Sequence, residues 1–101
     1  MVEPTSLVVA PDHPIFAGHF PGRPIVPGVM LLEWVLAEVA KSTGRATPAL
    51  RVREVKFFTP LSPGERAELR IDAGAADATR CAFDIRCNAN AVARGVVEWD
   101  R

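Results

Sequence analysis

The sequence predicts an α+β domain in which one antiparallel sheet encloses one long helix. Three observations carry that expectation. Between Val29 and Ala40 apolar residues occupy almost every direction around a helix. After Gly44 the apolar period changes from 3.6 residues to 2, the mark of sheet. No linker, repeat or low-complexity tract divides the chain, so residues 1–101 form a single domain.

The elements follow in order. Ser6 to Ala10 is a short apolar run stopped by Pro11 and Asp12, which reads as an edge or entry strand. His13 to Gly18 is expected to be extended. Pro27 suits the first helical position, and Gly44, with Lys41 in the last turn and Pro48 beyond, ends the helix near Thr43. Its apolar residues on most sides predict a helix buried nearly all round. Arg51 to Thr59 is the next strand, and Ser62-Pro63-Gly64-Glu65 a turn. Ala67, Leu69, Ile71 and Ala73 then alternate with Arg66, Glu68, Arg70 and Asp72, which makes one face wet. Cys81, Phe83, Ile85 and Cys87 share the inner face of the following strand. Asn88-Ala89-Asn90 turns the chain into a last strand whose Val97 and Trp99 face inward, and the whole reads as a meander.

Composition narrows the function. Twelve basic and twelve acidic residues cancel, and no Lys/Arg run of the kind that neutralises phosphates occurs, which argues against a nucleic-acid partner. The N-terminal residues lack the features of a secretory signal, so a cytoplasmic protein is expected. Residues 29–40 are interrupted by Glu33 and Glu38 and fall short of the roughly 20 apolar residues of a membrane span. Cys81 and Cys87 are six residues apart in one strand, about 20 Å, and cannot pair there; packing is their expected use. No Cys/His spacing suggests a metal site. At this length a second copy that shares the core would add stability, so a dimer is expected.

The chemistry concentrates in residues 18–33. Pro21, Pro24 and Pro27 fix φ and remove donors, while Gly22 and Gly28 permit close backbone approach. This loop holds His19, and the helix after it holds Glu33, a candidate acid/base pair. Helix nitrogens from Gly28 onward lack intrahelical partners and suit a developing negative charge. Taken alone, His19 is an ordinary loop residue and Glu33 an ordinary bridge or interface polar group. Glu38 and His13 carry only such structural readings.

Gly18-His19-Phe20-Pro21-Gly22-Arg23-Pro24-Ile25, with Pro27-Gly28-Val29 and Glu33, resembles the 3-hydroxyacyl-acyl carrier protein dehydratases of hotdog fold. The step of fourteen positions from His19 to Glu33 matches that family's separation of loop histidine and helix carboxylate. Glu54, Lys56, Phe57, Pro60, Pro63, Gly64 and Glu65 resemble its strand and turn after the helix. The brevity of the chain before His13 is more similar to the short dehydratases of dedicated pathways such as those making aryl polyenes. Trp34 and Ala37 depart from the small residues and glutamine that commonly follow the glutamate.

The resemblance implies reversible dehydration of a 3-hydroxyacyl thioester, carried on the phosphopantetheine of acyl carrier protein, to the trans-2-enoyl thioester, with no further cofactor or metal. It implies a homodimer, or a higher oligomer, with His19 of one subunit and Glu33 of the other in each site. His19 would take the C2 proton, because a neutral imidazole suits that role near pH 7. Glu33 would protonate the leaving hydroxyl, and burial in its helix would raise its pKa as the role needs. Pro27, Gly28, Val29 and Phe20 would hold the thioester, with the Gly28 N–H at its oxygen. Phe16, Trp34 and Phe58 would line the acyl tunnel. Arg23, Arg51, Arg53 and Lys56 would steer the acidic carrier. A hotdog acyl thioesterase, and a non-catalytic carrier-binding subunit of a dehydratase heterodimer, are the alternatives.

Overall fold

The computed structural model describes residues 4–16, 25–72 and 78–100. Its elements run β1 (Thr5–Val8), α1 (Gly28–Thr43), β2 (Leu50–Phe57), β3 (Arg66–Asp72), β4 (Arg80–Cys87) and β5 (Asn90–Trp99). Short 3-10 turns stand at Pro14–Phe16 and Thr47–Ala49. The five strands make one antiparallel sheet in the order β1-β3-β4-β5-β2, an α+β architecture. Strands β3, β4 and β5 are the meander that alternation predicts. β2, which precedes them in the chain, crosses to pair with β5 at the far edge, so the sheet as a whole is not a simple meander.

Helix α1 lies on one face of the sheet. Leu31, Val35 and Val39, spaced by four, are its buried residues and join the strand side chains Leu69, Phe83, Ile85 and Val97 in the core. Each such side chain removed from water contributes about 1.5–3 kcal/mol. The expectation of a helix buried on most sides fails for the single chain: Val29 is 63% exposed, and Glu33 is exposed on the face opposite Leu31 and Val35. Apolar residues all round a helix do not say whether its own chain covers them. Gly44 adopts the left-handed conformation (φ 71°) and donates its N–H to the Ala40 carbonyl, so the helix ends where the sequence places its end. Its start differs by one residue. Pro27 (φ −59°, ψ 141°) is the residue before the first turn rather than within it. Pro14–Phe16 is also not extended, because Phe16 donates to the His13 carbonyl in a 3-10 turn; Ala17 and Gly18 lie outside the described residues.

Alternation on the sheet is as read. Ala67, Leu69 and Ile71 of β3 and Cys81, Phe83, Ile85 and Cys87 of β4 are buried, as are Val97 and Trp99; Ala73 lies outside the described residues. Both cysteines are free thiols. The outer face sets opposite charges across the ladder, Glu68 opposite Arg86 and Asp84 between Arg70 and Arg94. Such pairs favour this register. Asn88 (φ 56°) supplies the tight turn between β4 and β5.

Two irregularities break the alternation. Between Val52 and Glu54 the β2–β5 register shifts, leaving Arg53 as the extra residue. Between Ile85 and Arg86 the β4–β5 register shifts, with Val92 the extra residue on β5, so Val92 and Ala93 are both buried. A bulge reverses which residues face inward beyond it. Leu50 and Val52 therefore share a face with Val55 and Phe57, not with Glu54, Lys56 and Phe58. Gly95, opposite Val55, makes the crossing possible: a Cβ there would meet the Glu54 carbonyl oxygen and lie 2.7 Å from the Phe83 ring.

Candidate functional site

The bulge and the helix start meet at one place. Val26 is buried and donates its N–H to the Leu61 carbonyl (2.8 Å), which ties the chain entering the helix to the segment leaving β2. The Met30 and Leu31 N–H groups both donate to the Pro27 carbonyl, at 3.1 and 3.3 Å. The N–H groups of Gly28 and Val29 have no acceptor among the described residues, and Pro27 offers no side-chain cap. These two donors stand at the positive end of a sixteen-residue helix, where an oxygen bearing negative charge is favoured.

Beside them lies an apolar cavity of about 350 Å³. Ile25, Val26, Gly28 and Leu31 form its helix side, residues 57–61 its strand side, and Val92 reaches it from β5. Phe57, turned inward by the bulge, stacks so closely on Gly28 that a Cβ there would lie 2.9 Å from the ring's Cζ. Glycine is what lets ring and helix backbone touch. The segment below Phe57 is held by the predicted turn. Gly64 takes φ 82°, Glu65 donates its N–H to the Ser62 carbonyl, and the Glu65 carboxylate accepts from the Ser62 N–H at 2.8 Å. That backbone hydrogen bond is the main reason the Glu65 carboxyl lies below its ordinary pKa; desolvation opposes it, and a bond from the Cys87 thiol (3.6 Å) assists.

A second depression of about 380 Å³ lies on the outer face, among Glu68, Arg70, Asp84, Arg86 and Asn88. Its charges largely offset one another and it contains no helix terminus, so the apolar cavity is the better candidate for an acyl group.

The structure places the expected site residues unevenly. Pro27 and Gly28 stand at the helix start, Pro27 one position earlier than expected, and Val29, though next to them, projects largely into solvent. His19, Phe20 and Arg23 lie outside the described residues. Glu33 is not enclosed by its own chain, so the burial expected of it is corrected to exposure. Its position on the far face of α1 also separates it from the described lining of the cavity. Phe16 and Trp34 are half-buried against the core rather than in that lining, whereas Phe58 borders it. Arg51 engages Glu98 (3.8 Å) and Asp100 (3.2 Å), and Arg53 engages Glu98 (3.8 Å). Lys56 instead lies over the Phe58 ring. Glu38 pairs with Lys41, the structural reading given to it. The sequence reading missed Phe57, Leu61 and Val92 as lining; the inward turn of Phe57 follows from a bulge that carries no Gly or Pro marker. Among the described residues no group of three or more His, Cys, Asp and Glu converges as a metal site, and no helix is long and apolar enough to cross a membrane.

Comparison with known proteins bears on this geometry. The model of the ApeI-like family, described as ApeI dehydratase, matches residues 4–96. The 3-hydroxyacyl-acyl-carrier-protein dehydratase FabZ of Zymomonas mobilis is 34% identical over 85 residues, 74% of this chain and 53% of that protein. FabZ of Anaeromyxobacter sp. is 36% identical over 75 residues, 63% of this chain and 48% of that protein. The chain thus spans about half the length of the curated relatives it matches. Among solved structures, the dehydratase heterocomplex ApeI:P from Xenorhabdus doucetiae superposes with a TM-score of 0.75 at 26% identity, covering 97% of this chain and 86% of that one. The fluoroacetyl-CoA-specific thioesterase FlK, at 12% identity and a TM-score of 0.64, shares the fold alone. The dehydratase resemblance read from residues 18–33 is borne out, and with it the hotdog fold.

Proposed function

Because this chain belongs to the ApeI-like dehydratase family, we propose that it catalyses the reversible dehydration of a 3-hydroxyacyl thioester presented by an acyl carrier protein. The observation that carries the reading is the pair of N–H groups at Gly28 and Val29, without an acceptor among the described residues, beside an apolar cavity. The acyl chain occupies the cavity and the thioester oxygen faces the Gly28 N–H. His19 takes a proton from C2, and the electron pair moves to form the C2–C3 double bond as the C3–O bond breaks. Glu33 gives its proton to the departing hydroxyl, which leaves as water. As charge grows on the thioester oxygen, a donor of this kind contributes about 2.7–4 kcal/mol.

Glu33 stands on the exposed face of α1 while the cavity lies elsewhere, which supports a site completed by a second chain's carboxylate. Enclosure by that chain would supply the desolvation a proton-donating carboxyl needs. His19→Ala should abolish hydration of an enoyl thioester, and Glu33→Gln should reduce it strongly, with both variants sedimenting as the wild type does. Unchanged turnover in either removes that residue's role.

One observation favours a second reading, in which the chain works beside a different dehydratase subunit: one of its structural neighbours is a heterocomplex, ApeI:P. If the purified chain is inert on every acyl length and gains turnover only with a second dehydratase-like protein, that reading replaces the homodimer.

A further inference from the structure

The peptide unit between Leu61 and Ser62 is held at both ends. Its carbonyl accepts from the Val26 N–H at 2.8 Å, and its N–H donates to Glu65 Oε1, also at 2.8 Å. A trans peptide is planar, with its C=O and N–H pointing in opposite directions, so the two bonds fix its plane and run as one chain from the Val26 amide to the Glu65 carboxylate. Each bond in such a chain polarises the next, and an ionised acceptor at its end strengthens the whole. The carboxylate is itself anchored: the Cys87 thiol, at the end of β4, donates to the other oxygen, Oε2 (3.6 Å), and the Glu65 N–H donates to the Ser62 carbonyl (3.2 Å). Val26 and Leu61 are both buried and both line the apolar cavity, one from its helix side and one from its strand side. Their bond therefore sets the spacing of the two walls. Residues 58–62 have no regular secondary structure; the Phe58 N–H is fastened to the Val92 carbonyl (2.9 Å) at one end and the Gly64 N–H to the Val9 carbonyl (2.8 Å) at the other. Between these backbone fastenings, Glu65 supplies a side-chain one.

We infer that Glu65 is a positioning residue for the acyl group: its carboxylate fixes the Leu61–Ser62 peptide, that peptide fixes Val26, and Val26 sets both the width of the cavity and the entry of the chain into α1. The consequence for turnover rests on the function proposed above; the hydrogen-bond chain does not. Glu65 is outside the described lining of the cavity, so it acts through the peptide and not by contact with substrate. A carboxylate that served only to close its own turn would need nothing at the far end of that peptide. Here the far end is Val26, two residues before Gly28 and next to Pro27, whose carbonyl accepts the first N–H groups of the helix. Small displacements at such a point are felt in the site, because binding geometry tolerates only fractions of an ångström.

The test combines amide NMR with turnover for the wild type, Glu65→Gln, Glu65→Ala and Glu68→Gln, the last at an exposed carboxylate on β3. Glu65→Gln keeps an oxygen acceptor and loses the charge, so the Ser62 and Val26 amide protons should both move upfield, Ser62 by more. In Glu65→Ala the Val26 amide should exchange with solvent about ten-fold faster. Glu68→Gln should leave both amides where they are. With octenoyl and crotonyl N-acetylcysteamine thioesters as substrates, Glu65→Ala should raise KM about ten-fold for the longer and less than about three-fold for the shorter, and Glu65→Gln should recover most of that loss. A variant that merely loses folded molecules has a lower kcat and an unchanged KM. A Val26 amide unmoved in Glu65→Gln overturns the chain of bonds, and it does so even where Glu65→Ala fails to fold. An unchanged KM for the octenoyl thioester in a folded Glu65→Ala overturns the positioning role. If the wild type turns over neither thioester, the function proposed above falls, and the two amides still decide whether the carboxylate reaches the helix entry.

Discussion

Gly95→Ala puts the link between fold and site under direct strain. A Cβ at Gly95 would fall on the carbonyl oxygen of Glu54 and 2.7 Å from two carbons of the Phe83 ring. Neither obstacle can rotate aside: the carbonyl belongs to the β2 backbone at the bulge, and Phe83 is 3% exposed within the core. Overpacking usually costs about 1–3 kcal/mol, and an immovable backbone atom places this substitution at the upper end, about 3 kcal/mol. In a domain of this size that lowers the midpoint by about 12–24 °C. The assay is guanidinium and thermal unfolding followed by tryptophan fluorescence. Adding Phe83→Leu to Gly95→Ala removes the ring but not the carbonyl, so it should recover less than half of the loss. Should Gly95→Ala stay within about 0.5 kcal/mol of the wild type, the Glu54 carbonyl does not approach Gly95. The bulge at Arg53 would then be misplaced, and Phe57 would no longer be the residue turned toward the helix start.

Gly28→Ala is expected to be nearly neutral for stability, because its new methyl meets only the ring of the half-exposed Phe57, which can retreat. It should nevertheless depress turnover of an enoyl thioester, and Phe57→Leu in the same chain should restore part of it; an undiminished rate in Gly28→Ala contradicts a substrate at that cavity. At Asp84 burial pushes the carboxyl pKa up, but hydrogen bonds and charge from Arg86 and Arg94 outweigh it and leave the group below its ordinary value. A depressed folded pKa gives stability that is present above the unfolded value and lost as pH falls through the folded one, so Asp84→Asn should flatten the acid limb of a stability–pH profile below about pH 4. An acid limb as steep as the wild type's would show that the two arginines do not hold this carboxylate. Burial raises the Cys81 thiol, with the Asp72 charge adding to it, and burial likewise raises Cys87, with Glu65 adding. Both thiols should resist an aromatic disulfide reagent at pH 8 until the protein is unfolded, and fast labelling of the native protein would contradict their placement in the core.

What could be read from the sequence was governed by regular spacing. The period-2 runs of β3 and β4 assign Leu69, Ile71, Phe83 and Ile85 to the core because nothing interrupts the pleat there. Gly44 ends the helix because a left-handed residue is needed at that point, and glycine meets the need without strain. The failures lie where a spacing rule is broken or incomplete. Strict alternation from Leu50 puts Phe58 on the inner face; the extra residue Arg53 puts Phe57 there instead and moves Phe58 outward to Lys56 and Arg94. The pairing of β2 with β5 is a long-range choice between edges, which local pattern does not encode. Of the site, the helix start and its orphan donors were legible from Pro27 and Gly28, but the exposure of Glu33 was not. An apolar helix face looks the same in sequence whether its own chain or another covers it.

The distribution of exposed apolar side chains separates a folding shortfall from a built opening. Among the described residues eighteen hydrophobic residues are buried, no charged or polar residue is buried with them, and only Thr5 Oγ1 and Trp99 Nε1 are buried side-chain atoms without a hydrogen-bond partner. A domain with so complete an interior has no need to leave large apolar groups in water. Yet four large apolar side chains are about half or more exposed: Val8 on edge strand β1, and Val29, Phe57 and Phe58, which stand at the helix start or at the end of β2. Val8 stands singly and needs no explanation, but the other three, gathered beside two N–H donors that have no acceptor among the described residues and beside a cavity, mark a surface that something covers in use. Phe57 and Val29 face the helix start, where an acyl chain or a second protomer would shield them, while Phe58 faces the opposite side of the sheet among cations. The bulge at Arg53 is what divides them, and so one extra residue in an edge strand gives the cavity its Phe57 wall and turns Phe58 to the other face.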